Sequence, residues 1–122
     1  MSTFRHVIQI GSPDGERFEE IEALVDTGST YTWAPRPVLE RLGVRPAFRM
    51  EFETADGRII EREAAETPVR LDGMTRTRIV VFADGGTQSL IGAETLEGFG
   101  LAPDPINHRL IPVRGLLMTL LS

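Results

Sequence analysis

The chain has 122 residues, which suits one compact domain over residues 1–122 and is too short for two. Its 13 basic residues are all Arg and are outnumbered by 18 acidic ones, giving a formal net charge of -5; with no basic stripe and no aromatic run beside the arginines, nucleic acid is excluded as the main ligand. The absence of cysteine excludes disulfides, thiolate catalysis and Cys-based zinc sites, and leaves the redox compartment open.

In chain order the sequence reads as short strands separated by turn residues. Phe4 to Ile10 has strand character. It carries no long apolar core of a secretory signal, so a cytoplasmic location is expected. Ser12-Pro13-Asp14-Gly15 is a hairpin turn, in which Pro presets one dihedral and Gly supplies a positive one. Phe18 to Val25 returns as a strand. Asp26 to Thr30 is a loop, Tyr31 to Ala34 is extended, and Pro35 to Leu42 is a short helix stopped by Gly43.

Arg49 to Thr54 and Arg58 to Glu63 flank Ala55-Asp56-Gly57, a hairpin with a strong turn signal. Thr67 to Leu71 and Thr75 to Phe82 flank Asp72-Gly73 as a second hairpin, and Asp84-Gly85-Gly86 is a further break. Ser89 to Gly92 reads as a short buried strand. Ala93 to Phe99 reads as a helix of about two turns ended by Gly100. Pro103 and Pro105 punctuate the approach to strands over Ile106 to Val113 and Leu116 to Leu121. Several hairpins and one short helix in the C-terminal half predict a mainly-β fold, a folded-over sheet or small barrel. No apolar run is long enough to span a bilayer, so no membrane partner is expected.

The chemistry concentrates in Ala23-Leu24-Val25-Asp26-Thr27-Gly28-Ser29-Thr30. An apolar strand ends in a carboxylate, then a hydroxyl, then Gly. Apolar neighbours strip water from the carboxylate. Thr27 and Ser29 supply hydroxyls that orient it, and Gly28 lets another backbone come close. Asp-Thr-Gly alone is also an ordinary turn, as Asp56-Gly57, Asp72-Gly73 and Asp84-Gly85 are.

Context separates it from those turns. Leu24 to Ser29 resembles the active-site loop of aspartic peptidases, both the retropepsins and each lobe of pepsin. Ser89-Leu90-Ile91-Gly92-Ala93-Glu94-Thr95-Leu96 resembles the second signature of that family, a paired apolar strand, Gly and a short helix. The resemblance implies that this strand packs beside the active-site loop, with its Gly allowing the approach, and that the Arg49–Glu63 hairpin is the flap. It covers roughly Phe4 to Ile111. Ala93 stands where retroviral enzymes often carry Arg, Ser29 is the pepsin-like choice where they usually have Ala, and the tip Ala55-Asp56-Gly57 matches neither flap pattern. The string Leu90 to Leu96 is closest to bacterial-type, single-domain retropepsin-like aspartic peptidases.

The resemblance implies a catalytic role for Asp26, Thr27 and Gly28, substrate contacts for Ser29, Ala55, Asp56 and Gly57, and no cofactor or metal. The chemistry needs two carboxylates, and the chain has one Asp-Thr-Gly and no Asp-Ser-Gly. A homodimer follows as the expected assembly, joined through the active-site loop and a C-terminal strand, and acting on a peptide or protein. The apolar fraction of 41%, slightly low for a globular chain, fits a small domain or a core completed by a partner. Leu116 to Leu121, apolar at nearly every position, is either that intersubunit strand or a core strand of one subunit.

Other constellations are weaker. His6 and His108 have no His-Glu-x-x-His context and read as surface or capping residues. Glu19-Glu20-Ile21-Glu22 reads as a solvated strand face, and Trp33 as core packing or a wall of a substrate pocket. A non-catalytic retropepsin-like module that binds peptides or dimerises is the alternative function.

Overall fold

A computed structural model describes residues 3–118. The chain runs β1 (Phe4–Gly11), β2 (Phe18–Val25), β3 (Thr32–Pro35), α1 (Arg36–Arg41), β4 (Phe48–Glu53), β5 (Ile59–Leu71), β6 (Met74–Ala83), β7 (Leu90–Ile91), α2 (Ala93–Phe99), β8 (Leu101–Asp104) and β9 (Arg109–Pro112). The fold is mainly β, as the turn spacing predicts.

Seven strands form one sheet in the order β1-β2-β7-β3-β6-β5-β4. The sheet curls until β1 meets β5 at Gln9↔Arg70 and Ile10↔Val69. Six strands thereby close on themselves, and β4 extends beyond the ring with the first part of β5. This outlying ribbon is the hairpin read from Asp56-Gly57, in register from Phe48↔Ala64 to Glu53↔Ile59. β7 is two residues long and fills the slot between β2, to which it is parallel, and β3, to which it is antiparallel.

Alternation along the strands builds two apolar clusters on opposite faces. Thr32, Ala34, Ala65, Val80, Phe82 and Ile91 point into the main core or its buried lining. Their neighbours Trp33, Ala64 and Val81 form a second cluster, against which Tyr31, Met50, Phe52, Ile60, Ile79 and Leu90 pack. Met50, Phe52 and Ile60 belong to the outlying hairpin. Phe52 packs its ring 4.8 Å from that of Trp33, and its edge contact with Tyr31 is at 6.3 Å. Each such pair adds about 0.5–1.5 kcal/mol beyond the area it buries, so the root of the hairpin is anchored on the sheet.

Three strand boundaries differ from the sequence reading. β5 is one strand of 13 residues, where two strands with a break around Ala64-Ala65 were expected. Both alanines are buried, one toward each cluster, so this stretch loses the alternation that marks a strand. Pro68 is accommodated opposite Thr77. β8 was not expected, because Pro103 and Pro105 suggested a break. It pairs only with β9, in a separate two-stranded ribbon where a missing N–H is tolerated. β9 starts at Arg109 rather than Ile106, which is 88% exposed in the connecting turn.

The expected strand over Leu116 to Leu121 is also corrected where it can be seen. Leu116, Leu117 and Met118 are not in a strand and are 89%, 68% and 90% exposed. A core strand buried within one subunit is therefore ruled out for these three residues. Thr119, Leu120 and Leu121 lie outside the described residues.

Candidate active site

Asp26 directly follows β2, and its position is fixed by the strand that fills the slot beside it. The backbone N–H of Leu24 donates to the Ser89 carbonyl at 3.0 Å, and that of Asp26 to the Ile91 carbonyl at 3.0 Å. Both oxygens of the carboxylate are held locally. The Gly28 N–H donates to Oδ1 at 3.0 Å, and the Ser29 hydroxyl to Oδ2 at 3.1 Å. The Ser29 N–H closes the turn onto the Asp26 carbonyl at 3.1 Å. A Cβ at Gly28 would lie 3.2 Å from Oδ1, so the residue that donates to the carboxylate also has to be small there. Asp26 and Ser29 are half-buried, whereas Thr27 and Gly28 are exposed at the surface of the subunit.

The far side of the loop is held by main-chain bonds from α2. The N–H groups of Ala93 and Glu94 donate to the carbonyls of Ser29 and Thr30, each at 2.8 Å. These are amides of the first turn, which have no partner within their own helix. Such contact demands a very close approach, and Gly92 permits it. A Cβ at Gly92 would overlap the Tyr31 carbonyl and lie 2.8 Å from the Tyr31 nitrogen. Beneath the loop, the hydroxyls of Thr32 and Thr95 share a buried hydrogen bond of 2.6 Å, and Thr32 Oγ1 also accepts the Gly92 N–H at 3.2 Å.

The four loop residues named from the sequence, Asp26, Thr27, Gly28 and Ser29, therefore form one constellation. Ala55, Asp56 and Gly57 do not join it within the subunit. They are exposed at the tip of the β4–β5 hairpin, in a turn closed by the Gly57 N–H donating to the Thr54 carbonyl at 2.9 Å. Thr54 donates its hydroxyl to Asp56, and Arg58 pairs with the same carboxylate at 2.9 Å. The Thr54 hydroxyl and then the Arg58 backbone amide and guanidinium hold that carboxyl below the ordinary aspartate range.

The sequence matches the aspartyl protease family over residues 11–105. The chain belongs to this family. The match takes in the Asp26 loop, the outlying hairpin and the Ile91-Gly92 pair, in agreement with the retropepsin-like resemblance. Among curated proteins, none matches the chain significantly. The apolar root of the β4–β5 hairpin faces the side of the sheet that carries Asp26. The register shows this: Leu24 pairs with Leu90, and Leu90 pairs with Trp33. Paired residues share a face, and Asp26 is the next position on that face along β2.

Reading the sequence missed one ionic cluster at the base of this hairpin. Arg36 donates from Nε and Nη2 to the two oxygens of Asp84, at 2.9 and 2.8 Å, and from Nη2 to Glu63 at 2.6 Å. One guanidinium thus joins the start of α1, the β5 arm of the hairpin and the loop that leads to β7. It also sits 4.6 Å above the Phe82 ring. Arg36 is held well above its ordinary value by these carboxylates. No local pattern could reveal partners 27 and 48 residues away.

The Arg36 hydrogen bond holds the Asp84 carboxyl below the ordinary 3.8. Because the folded value is the lower one, the stabilisation is fully present above about pH 4. It is lost as pH falls through the folded value. Asp84 is 39% exposed, so solvent screens the pair to about 0.5–1 kcal/mol. Asp84→Asn is expected to lower the melting temperature by about 2–4 °C at neutral pH, with the difference from wild type closing as pH falls through the lowered value of the folded protein. Thermal unfolding followed by circular dichroism across that range checks it.

The remaining sequence candidates have structural partners. His6 bonds Asp72 at 2.8 Å, and His108 stacks on Phe4 with ring centroids 5.5 Å apart. Glu19 pairs with Arg41, while Glu20 and Glu22 are exposed. Trp33 is 6% exposed, at the centre of the second cluster. Among the described residues, no group of three or more His, Asp or Glu side chains could hold a metal ion, and no helix is long and apolar enough to cross a membrane.

Proposed function

We propose that the protein is an aspartic endopeptidase that works as a homodimer, with Asp26 of each copy contributing half of the catalytic pair. The observation that carries this reading is the restrained carboxylate of Asp26, held at both oxygens beside the exposed Thr27 and Gly28, in a chain with a single Asp-Thr-Gly. A two-fold axis at that surface brings two such loops face to face. Two carboxylates a few ångströms apart cannot both ionise comfortably, so the pair holds one proton between them.

The reaction then follows from those two groups. The ionised carboxylate removes a proton from a bound water, whose oxygen attacks the peptide carbonyl carbon. The protonated carboxyl hydrogen-bonds the carbonyl oxygen and polarises it. Collapse of the tetrahedral species breaks the C–N bond, and a carboxyl proton passes to the leaving nitrogen. The products are an acid and an amine, with no covalent enzyme intermediate. Thr27 would bond across the axis to the partner's loop. Ser29 and the flap tips Ala55, Asp56 and Gly57 would contact an extended peptide paired through its backbone. The exposed apolar tail Leu116-Leu117-Met118, together with Val113 at 46% exposure, supports a second copy covering that surface.

The test couples mass to activity. Sedimentation equilibrium is expected to give twice the 13.5 kDa chain mass, with specific cleavage of a mixed peptide pool at about pH 4–7 falling on dilution into the monomer range. A chain that cleaves peptides as a strict monomer would refute the shared site. A dimer silent toward every peptide would favour a non-catalytic binding module.

A further inference from the structure

A cavity of about 310 Å³ opens between β6 and the first turn of α2, lined by Glu66, Thr77, Arg78, Ile79 and Glu94. It lies on the face of the sheet that carries Asp26. Ala64 and Val81 are paired members of the Trp33 cluster, and Glu66 and Ile79, also paired, are the next positions on the same face. Thr77 follows Ile79 on that face. Glu94 links the cavity to the active-site loop, because its N–H donates to the Thr30 carbonyl. Trp33 is buried under Phe52, so an extended chain would reach the cavity from Asp26 past the half-buried Tyr31, which packs on the same cluster as Ile79.

The charge of the cavity is not balanced. Arg78 is already committed, donating to Glu94 Oε2 at 2.9 Å and to the Thr77 carbonyl at 2.5 Å. Gly98, with no side chain, leaves room for that guanidinium against α2. Glu94 is thus neutralised through one oxygen. Its other oxygen, Oε1, is closed off from solvent and has no hydrogen-bond partner. That oxygen is out of a ligand's reach, which leaves Glu66 as the accessible carboxylate of the cavity. The Glu66 carboxylate makes no ion pair or hydrogen bond among the described residues. Two carboxylates and one spent guanidinium leave a net charge of about -1. Ile79 adds an apolar wall suited to a methylene stem.

We propose that this cavity is a subsite for a cationic side chain, the Lys or Arg of a peptide substrate, with its head group at Glu66, its stem on Ile79 and the Glu94–Arg78 pair as the wall toward α2. The inference rests on the peptidase reading for its substrate and adds a specificity to it. Acidic side chains meet two carboxylates there and no free cation.

The experiment has two arms, so that each reading can fail alone. In the first, a peptide library is digested with wild type and with Glu66→Gln, and Lys and Arg frequencies are counted at each position around the cleaved bonds. Roughly fivefold enrichment of Lys and Arg is expected at one position away from the scissile bond, falling by at least half in Glu66→Gln. In the second, Asp26→Asn, which cannot cleave, is titrated with fluorescent peptides in which a single Arg is replaced by its neutral isostere citrulline. The Arg peptide is expected to bind roughly fivefold more tightly, and addition of Glu66→Gln to erase the difference. Cleavage without a basic preference would overturn the subsite and leave the peptidase standing. Basic-selective binding with no cleavage by wild type would do the reverse. Equal binding of Arg and citrulline peptides, or binding of neither, also overturns the subsite.

Discussion

Asp26→Asn is expected to abolish peptide cleavage, by a factor of about 1,000 or more, while the protein keeps its fold and its mass in solution. Asn preserves the shape of the side chain: its carbonyl oxygen can still accept the Gly28 N–H, and its amide nitrogen can donate to the Ser29 hydroxyl oxygen in place of the bond that hydroxyl gives to Asp26. It cannot take a proton from water. The sharper measurement is a mixture. Wild-type and Asp26→Asn chains, unfolded together in equal amounts and refolded, pair at random into three kinds of dimer. If each dimer shares one site, only the dimer with two aspartates works, and activity falls to about a quarter. If each subunit held a complete site, activity would fall only to about half. A result of one half would remove the basis for a proton shared across the axis.

Gly92→Ala is expected to be the most destabilising single-methyl change in the described chain outside the positive-φ turns. The added carbon has no space, because the Tyr31 backbone, not a flexible side-chain tip, occupies it. Relief requires β7 and the active-site loop to separate. That would break the Thr32–Gly92 bond and the pair of amide bonds from α2. A loss of about 3 kcal/mol or more is expected, a large share of the stability of a domain this size. Gly115→Ala is the control, since a Cβ there meets nothing within 4 Å. Urea unfolding of the two variants checks the contrast. Equal midpoints would mean that the loop is not held by this contact.

The architecture was legible where turn chemistry is local. Ser12 to Gly15 folds as the spacing suggests: the Gly15 N–H donates to the Ser12 carbonyl, and Gly15 has φ of 73°. Gly43, Gly57 and Gly100 likewise adopt positive φ where a stop or tip was expected. The loop around Asp26 was legible because its restraints come from residues two and three positions away. What escaped is non-local or non-periodic. Ala64-Ala65 hides a strand because both faces are buried. Thr32 and Thr95, 63 positions apart, look like unremarkable threonines until the fold brings them together. Arg36 is one of 13 arginines, and nothing in its neighbours marks it as the one facing Glu63 and Asp84.

The mooring of the active-site loop to α2 has an evolutionary consequence. Both bonds join one peptide group to another, so they are blind to side-chain identity at Thr30, Ala93 and Glu94. Mutation can redecorate those positions while the Asp26 loop stays where it is. Only Gly92 is denied that freedom. A lineage could therefore trade an Arg for an Ala beside it, or turn Glu94 toward a new ligand, without first rebuilding the loop that holds Asp26.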